Sequence, residues 1–147
     1  MRKFYEVKEN LKKSNLPTKL PVRKTSRSAG YDFFSKIDAD VKPGEIIKIW
    51  TDVKLELNPD EFMMADIRSS MGGTWYSLTI IGIIDADYFS NPKNDGNIGF
   101  FLKNISEETQ HINIGDSIGQ GIITKYLTVD DDNATGERTG GFGSTGK

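Results

Sequence analysis

The 147 residues contain no cysteine, which excludes disulfides and thiolate metal sites. A single histidine, His111, argues against a nitrogen-rich metal centre or a Ser-His triad; within Thr109-Gln110-His111-Ile112-Asn113 it reads as a surface residue. No charge of either sign dominates. Lys and Arg total 19 against 21 Asp and Glu, so the net charge of −2 creates no field that would draw nucleic acid nonspecifically. Any phosphate recognition must therefore be local. No run approaches membrane-spanning length, and no apolar stretch of signal-peptide type follows Met1-Arg2-Lys3-Phe4-Tyr5-Glu6-Val7-Lys8, so the expectation is a cytoplasmic protein that does not engage membranes. Heptads, internal repeats and long amphipathic helices are missing too. The strongest helical candidate is a turn or two near Ser69 to Ser77.

What is present is strand-like. At 36% hydrophobic and 27% charged residues, the chain has the composition and length of one globular domain. Val53, Leu55 and Leu57 alternate with Lys54 and Glu56, and Ile98, Phe100 and Leu102 share one face of another run. Turn signals recur at Lys42-Pro43-Gly44-Glu45, Asn58-Pro59-Asp60-Glu61, Asn91-Pro92-Lys93-Asn94-Asp95-Gly96 and Ile114-Gly115-Asp116, leaving strand-length segments between them. This pattern predicts an all-β sandwich or barrel. After Val129 the acidic, polar stretch from Asp130 to Glu137 has nothing to bury. The expected division is a β domain over residues 1–129, then a linker and flexible C-terminal arm over 130–147.

The arm ends in Gly140-Gly141-Phe142-Gly143-Ser144-Thr145-Gly146-Lys147. Its glycines can turn backbone N–H groups toward a ligand, its hydroxyls add donors, and Phe142 offers a flat face to a base, a composition suited to a polyphosphate. Taken alone, the tail reads first as a mobile glycine-rich terminus. Gly141, Gly146 and Lys147 also fit G-x-x-x-x-G-K, but a Walker loop needs a following Ser or Thr, a preceding strand and a succeeding helix. Four further segments combine glycine or hydroxyls with useful polar groups: Ser28-Ala29-Gly30-Tyr31-Asp32, Asp66-Ile67-Arg68-Ser69-Ser70, Gly82-Ile83-Ile84-Asp85-Ala86-Asp87-Tyr88 and Gly115-Asp116-Ser117-Ile118-Gly119-Gln120.

In their order and approximate spacing, these five segments resemble the motifs of the homotrimeric deoxyuridine triphosphatase (dUTPase) family, from Ala29 to Gly146. The resemblance implies a trimeric β-barrel of jelly-roll type that hydrolyses dUTP to dUMP and pyrophosphate, limiting uracil in DNA and supplying a thymidylate precursor. It makes Asp85 the general base for in-line attack of water on the α-phosphorus; ordinary aspartates are ionised near neutral pH, and positioned bases contribute on the order of 10²–10⁴ in rate. Tyr88 would lie under the sugar and exclude a 2′-hydroxyl. Arg68, Ser69 and Ser70 would grip the phosphates, with Gln120 donating beside them. Arg138 would bind phosphate, Phe142 would stack on uracil, and Gly143, Ser144 and Thr145 would close over the terminal phosphate. Uracil itself would be read by the strand Ser77-Leu78-Thr79-Ile80-Ile81-Gly82.

Asp32 resembles the carboxylate of the first motif, placed near a metal through water. The implied ion is Mg²⁺, arriving with the nucleotide. The resemblance further implies active sites shared by three subunits, with the arm completing a neighbour's site. Departures from the family pattern fall at Thr79, often Asn, Ser70, often Gly, Ser117, often Arg, and Gly119, often Ala. They leave the base, the stacking aromatic and the phosphate arginines in place. The segment Asp87 to Gly96 is similar to a longer hairpin of some bacterial members, with no role to assign from sequence. Two other readings stay open: a dUTP-binding regulatory protein with a protein partner and secondary or lost hydrolysis, and a relative of the dCTP deaminases, whose glutamate is not found between Gly82 and Tyr88.

Overall fold

The structure, a computed structural model, describes residues 1–141. Eleven strands follow one another as β1 (Lys3–Glu6), β2 (Tyr31–Phe34), β3 (Ala39–Val41), β4 (Ile46–Trp50), β5 (Val53–Glu56), β6 (Glu61–Asp66), β7 (Trp75–Ser77), β8 (Gly82–Asp85), β9 (Gly99–Asn104), β10 (Gln110–Ile112) and β11 (Ser117–Lys125). Among the described residues helix is confined to short 3₁₀ turns, two of which, Ser69–Met71 and Ala86–Tyr88, fall at expected site segments. The turn or two anticipated near Ser69 is therefore a single tight turn, and Trp75–Ser77 beyond it is a strand.

All pairings between strands are antiparallel. One sheet runs β2-β11-β6-β8, a second β4-β9-β7, and two ribbons pair β1 with β5 and β3 with β10. The division into strands follows from turn chemistry: Pro43 and Gly44, with φ +79°, close the turn in which the Glu45 N–H donates to the Lys42 carbonyl at 3.0 Å. Period-two burial is clearest in β6 and β9, where Met63, Ala65, Phe100 and Leu102 turn inward. They meet Phe33, Ile49, Val53, Leu55, Ile98 and Ile118 in one core. Each buried apolar side chain of this size contributes roughly 1.5–3 kcal/mol.

Strand β11 passes between β2 and β6, and Gly119 shows how tightly. A Cβ there would lie 2.2 Å from Cε1 of Phe100 and 2.9 Å from the Asp66 carbonyl, so an alanine requires that core contact to move. The alternation expected for β5 holds for Val53, Leu55 and Leu57, but Lys54 is also buried. Its ammonium is 2.8 Å from Asp95, a partner far along the chain that alternation cannot reveal.

Candidate functional site

The site residues gather at two places along β6. At its C-terminal end, Asp32 of β2 pairs in register with Gln120 of β11, and Gln120 with Asp66 of β6. Arg68 follows immediately and sets Nε 3.2 Å from Asp32 Oδ1, while Lys24 lies 3.3 Å from Oδ2. Asp32 is buried, whereas Arg68 retains partial exposure and Ser69 and Ser70 lie exposed in the turn beyond. Gly30 makes room for this arrangement: a Cβ there would sit 2.2 Å from Gln120 Oε1. The result is a guanidinium, an amide and two hydroxyls around one strand end, a donor set that fits phosphate oxygens.

At the other end, Asp85 closes β8 at the sheet edge, opposite Phe62 of β6. Its carboxylate is half exposed. The next three residues form the 3₁₀ turn, which brings Asp87 and Tyr88 to the same place. Arg138 lies across them: Nη2 donates to Asp85 Oδ2 at 2.6 Å, Nε donates to Asp87 Oδ1 at 2.7 Å, and the guanidinium carbon is 5.8 Å from the centre of the Tyr88 ring. Tyr88 is 4% exposed. Burial raises its phenol pKa, against the opposing effects of Asn94 and Arg138.

Between these clusters, residues 77–82 differ from the strand expected for them. The Ile80 N–H donates to the Ser77 carbonyl at 3.0 Å, Ser77 Oγ and Thr79 Oγ1 lie 3.1 Å apart, and the chain turns between β7 and β8. Its β-branched residues suggest a strand, but the two flanking strands belong to different sheets and require a reversal here. Ile80 takes φ +58° while remaining exposed, a backbone conformation costly for a β-branched residue. Gly82 pairs with Ala65 beside Thr79.

Phe142, Gly143, Ser144 and Thr145 lie outside the described residues. The segment before them is not bare: the Arg138 side chain is only 12% exposed, and Gly140 and Gly141 are buried. His111, as expected, is exposed, and it pairs with Asp40 at 2.6 Å, which raises its pKa. Among the described residues, no group of three or more His, Asp or Glu side chains gathers as a metal site. Sequence reasoning missed Asp87 as an arginine partner and Lys24 as a second cation on Asp32. It also missed a buried network of Lys36, Asp52, Asn97, Lys54 and Asp95. The cluster of Asn91, Asn94 and Asn97 was its one visible trace.

Eleven described strands with almost no helix, carrying a half-exposed carboxylate at one end of β6 and donors suited to phosphate at the other, make this an all-β protein of jelly-roll-like class. The family model described as dUTPase matches residues 17–146, and the chain belongs to the dUTPase family. It is 36% identical over 139 residues to a deoxyuridine 5′-triphosphate nucleotidohydrolase from Lactococcus lactis, covering 92% of this chain and 93% of the relative. The dUTPase from Streptococcus mutans has a similar structure, with a TM-score of 0.74, 30% identity, and 86% of this chain and 98% of that one covered. A mutant dUTPase from phage phi11 of S. aureus, described as coordinating a structural Mg(II) ion, is similar with a TM-score of 0.68 and 22% identity over 91% of this chain and 96% of that one.

Proposed function

We propose that this dUTPase hydrolyses dUTP to dUMP and pyrophosphate with Asp85 as general base. Asp85 accepts a proton from water, the water oxygen bonds to the α-phosphorus, and the bond from that phosphorus to the bridging oxygen of the β-phosphate breaks in line, releasing pyrophosphate. The observation that carries this reading is the half-exposed Asp85 carboxylate at an open sheet edge, next to an arginine suited to phosphate. The Tyr88 ring packs beneath the sugar and leaves no room for a 2′-hydroxyl. The turn 77–82 reads uracil through its backbone. A site that bonds the uracil edge rejects cytosine because the wrong base leaves polar groups unpaired.

The separation of the two clusters supports a site shared between copies of the chain. Asp85 faces Phe62 and Gln120 faces Asp66, four residues further along β6, or about 13 Å of strand. One chain's Asp85 and Arg68 therefore do not meet at one phosphorus. A homotrimer brings Asp32, Arg68, Ser69, Ser70 and Gln120 of one subunit to Thr79, Gly82, Asp85 and Tyr88 of another. The arm, with Arg138, Phe142, Gly143, Ser144 and Thr145, closes over the nucleotide. In this reading Arg138 transfers from its carboxylate partners to phosphate as substrate enters.

Asp32, already flanked by Lys24 and Arg68, is suited to orienting Arg68 and to contacting a metal only through water. Mg²⁺ arriving with the nucleotide would screen the charge of its phosphates.

Pyrophosphate release from dUTP, dCTP, dTTP and UTP, with and without Mg²⁺, tests the activity. Magnesium-dependent release from dUTP alone is expected; tight dUTP binding without release would instead favour a binding protein. Mixing refolded Asp85→Asn and Arg68→Ala chains tests the sharing. Recovery of activity in the mixture is expected, and none at all would place each site within one chain.

A further inference from the structure

Between Tyr88 and β9 lies the loop 91–97, which the mechanism above does not use. It is built almost wholly of side chains that bond to one another. The Tyr88 hydroxyl donates to the Asn97 carbonyl at 2.7 Å and accepts from Asn94 Nδ2 at 2.7 Å. Asn94 Oδ1 accepts from Asn91 Nδ2 at 2.7 Å and from the Gly96 N–H at 3.1 Å. A backbone N–H only donates, so it fixes which end of the Asn94 amide faces the phenol. Asn91 Nδ2 also donates to the Tyr88 carbonyl at 2.8 Å, tying the loop to the backbone that carries the ring.

The loop is anchored at two further points. Asp95 accepts from Lys54 Nζ and from the Lys8 N–H, both at 2.8 Å. Asn97 exchanges two hydrogen bonds with Asp52, which is itself paired with Lys36 at 2.8 Å. Gly96, at φ +84°, allows close approach, because a Cβ there would lie 2.8 Å from the Tyr88 carbonyl oxygen. The far end of the Tyr88 ring is thus held by the buried Asn97 and the half-buried Asn94, each tied in turn to further partners.

We propose that Asn94 is a positioning residue, contacting no substrate, that holds the Tyr88 ring in place and thereby sets discrimination between deoxyribose and ribose. This rests on the assignment of Tyr88 to the sugar. A 2′-hydroxyl adds a single oxygen, so a wall that yields by about an ångström no longer excludes it. A tyrosine ring pivots about two side-chain torsions, and a bond at its far end removes that freedom most effectively.

The test is the ratio of kcat/KM for dUTP to that for UTP in wild type, Asn94→Ala, Tyr88→Phe, Tyr88→Ala and the Asn94→Ala/Tyr88→Phe double variant, with thermal unfolding of each. Asn94→Ala should lower the ratio roughly tenfold, the scale of one lost hydrogen bond, chiefly by raising UTP turnover. Tyr88→Phe should do the same, and the double variant should add little to either. A ratio unchanged in Asn94→Ala but collapsed in Tyr88→Ala overturns the role of Asn94 and leaves Tyr88 on the sugar. A ratio unchanged in Tyr88→Ala overturns the sugar assignment itself. Equal losses on both substrates in Asn94→Ala would reduce the residue to a structural one. Should Asn94→Ala fail to fold, Tyr88→Phe carries the test, since it cuts the bond from Asn94 together with that to the Asn97 carbonyl without emptying the loop, and an unchanged ratio there overturns the proposal.

Discussion

At the Asp66 end of β6 the candidate side chains are a partly exposed arginine, an amide and exposed hydroxyls, whereas at the Phe62 end the buried Tyr88 is held by hydrogen bonds to Asn97 and Asn94. On the proposed assignment of one end to phosphate and the other to the sugar, the difference matches the demands on each. Phosphate oxygens are strong acceptors, and adaptable donors near water can follow them. Telling one sugar from another depends on the absence of space, and only a rigid wall provides it. Ion pairs likewise differ between surface and interior. Asp32 neutralises Arg68 near the surface, while Lys54 with Asp95 and Lys36 with Asp52 are paired in the interior.

The sharpest way to break this comparison is Asp85→Asn, which should lower dUTP turnover by about 10²–10⁴ while dUTP binding persists. Single-turnover kinetics with equilibrium binding would check it, and intact turnover would remove Asp85 from the chemistry. Next in size, Asp95→Ala leaves the Lys54 ammonium buried and uncompensated and should cost about 3–5 kcal/mol of stability. Chemical denaturation measures that loss, which has no counterpart at the exposed end. Arg68→Ala should weaken dUTP binding about 10- to 100-fold with little change in unfolding temperature, the signature of a pliable binding group. If it unfolds the protein instead, the contrast between the two ends fails.

The smallest effect concerns the start of β6, where Arg2 Nε donates to Glu61 at 2.7 Å and holds its carboxyl down to about 2. Glu61 ordinarily titrates near ~4.3, so its contribution is fully present above that value. It is lost as the pH falls through about 2. Arg2→Ala should therefore lower stability near neutrality, where this contribution is fully present, and the gap from wild type should close as the pH falls through about 2, as denaturation followed by tryptophan fluorescence at several pH values would show.

The strands around Val53, Ile98 and Gly115 were legible because period-two hydrophobicity and turn residues are local signals. Short motifs singled out Asp85, Arg68, Gln120 and Arg138, to which the proposed mechanism gives roles. The turn at 77–82 was not, since Thr79, Ile80 and Ile81 prefer strands and only the flanking sheets force the reversal. Lys54 was misplaced because alternation assigns faces without knowledge of a distant Asp95. The Asn91 to Asn97 run announced a turn but gave no sign that its amides would close around Tyr88.

By itself, the order of residues determined an all-β chain and the chemical groups of its motifs, because periodicity, turn preference and motif spacing are carried by neighbours in the chain. Tertiary structure alone decided that Asp85 and Arg68 lie at opposite ends of β6, that Arg138 bridges two carboxylates, and that Asn94 grips a phenol. Those relations depend on strand pairing and burial between distant segments, which only the folded chain brings together.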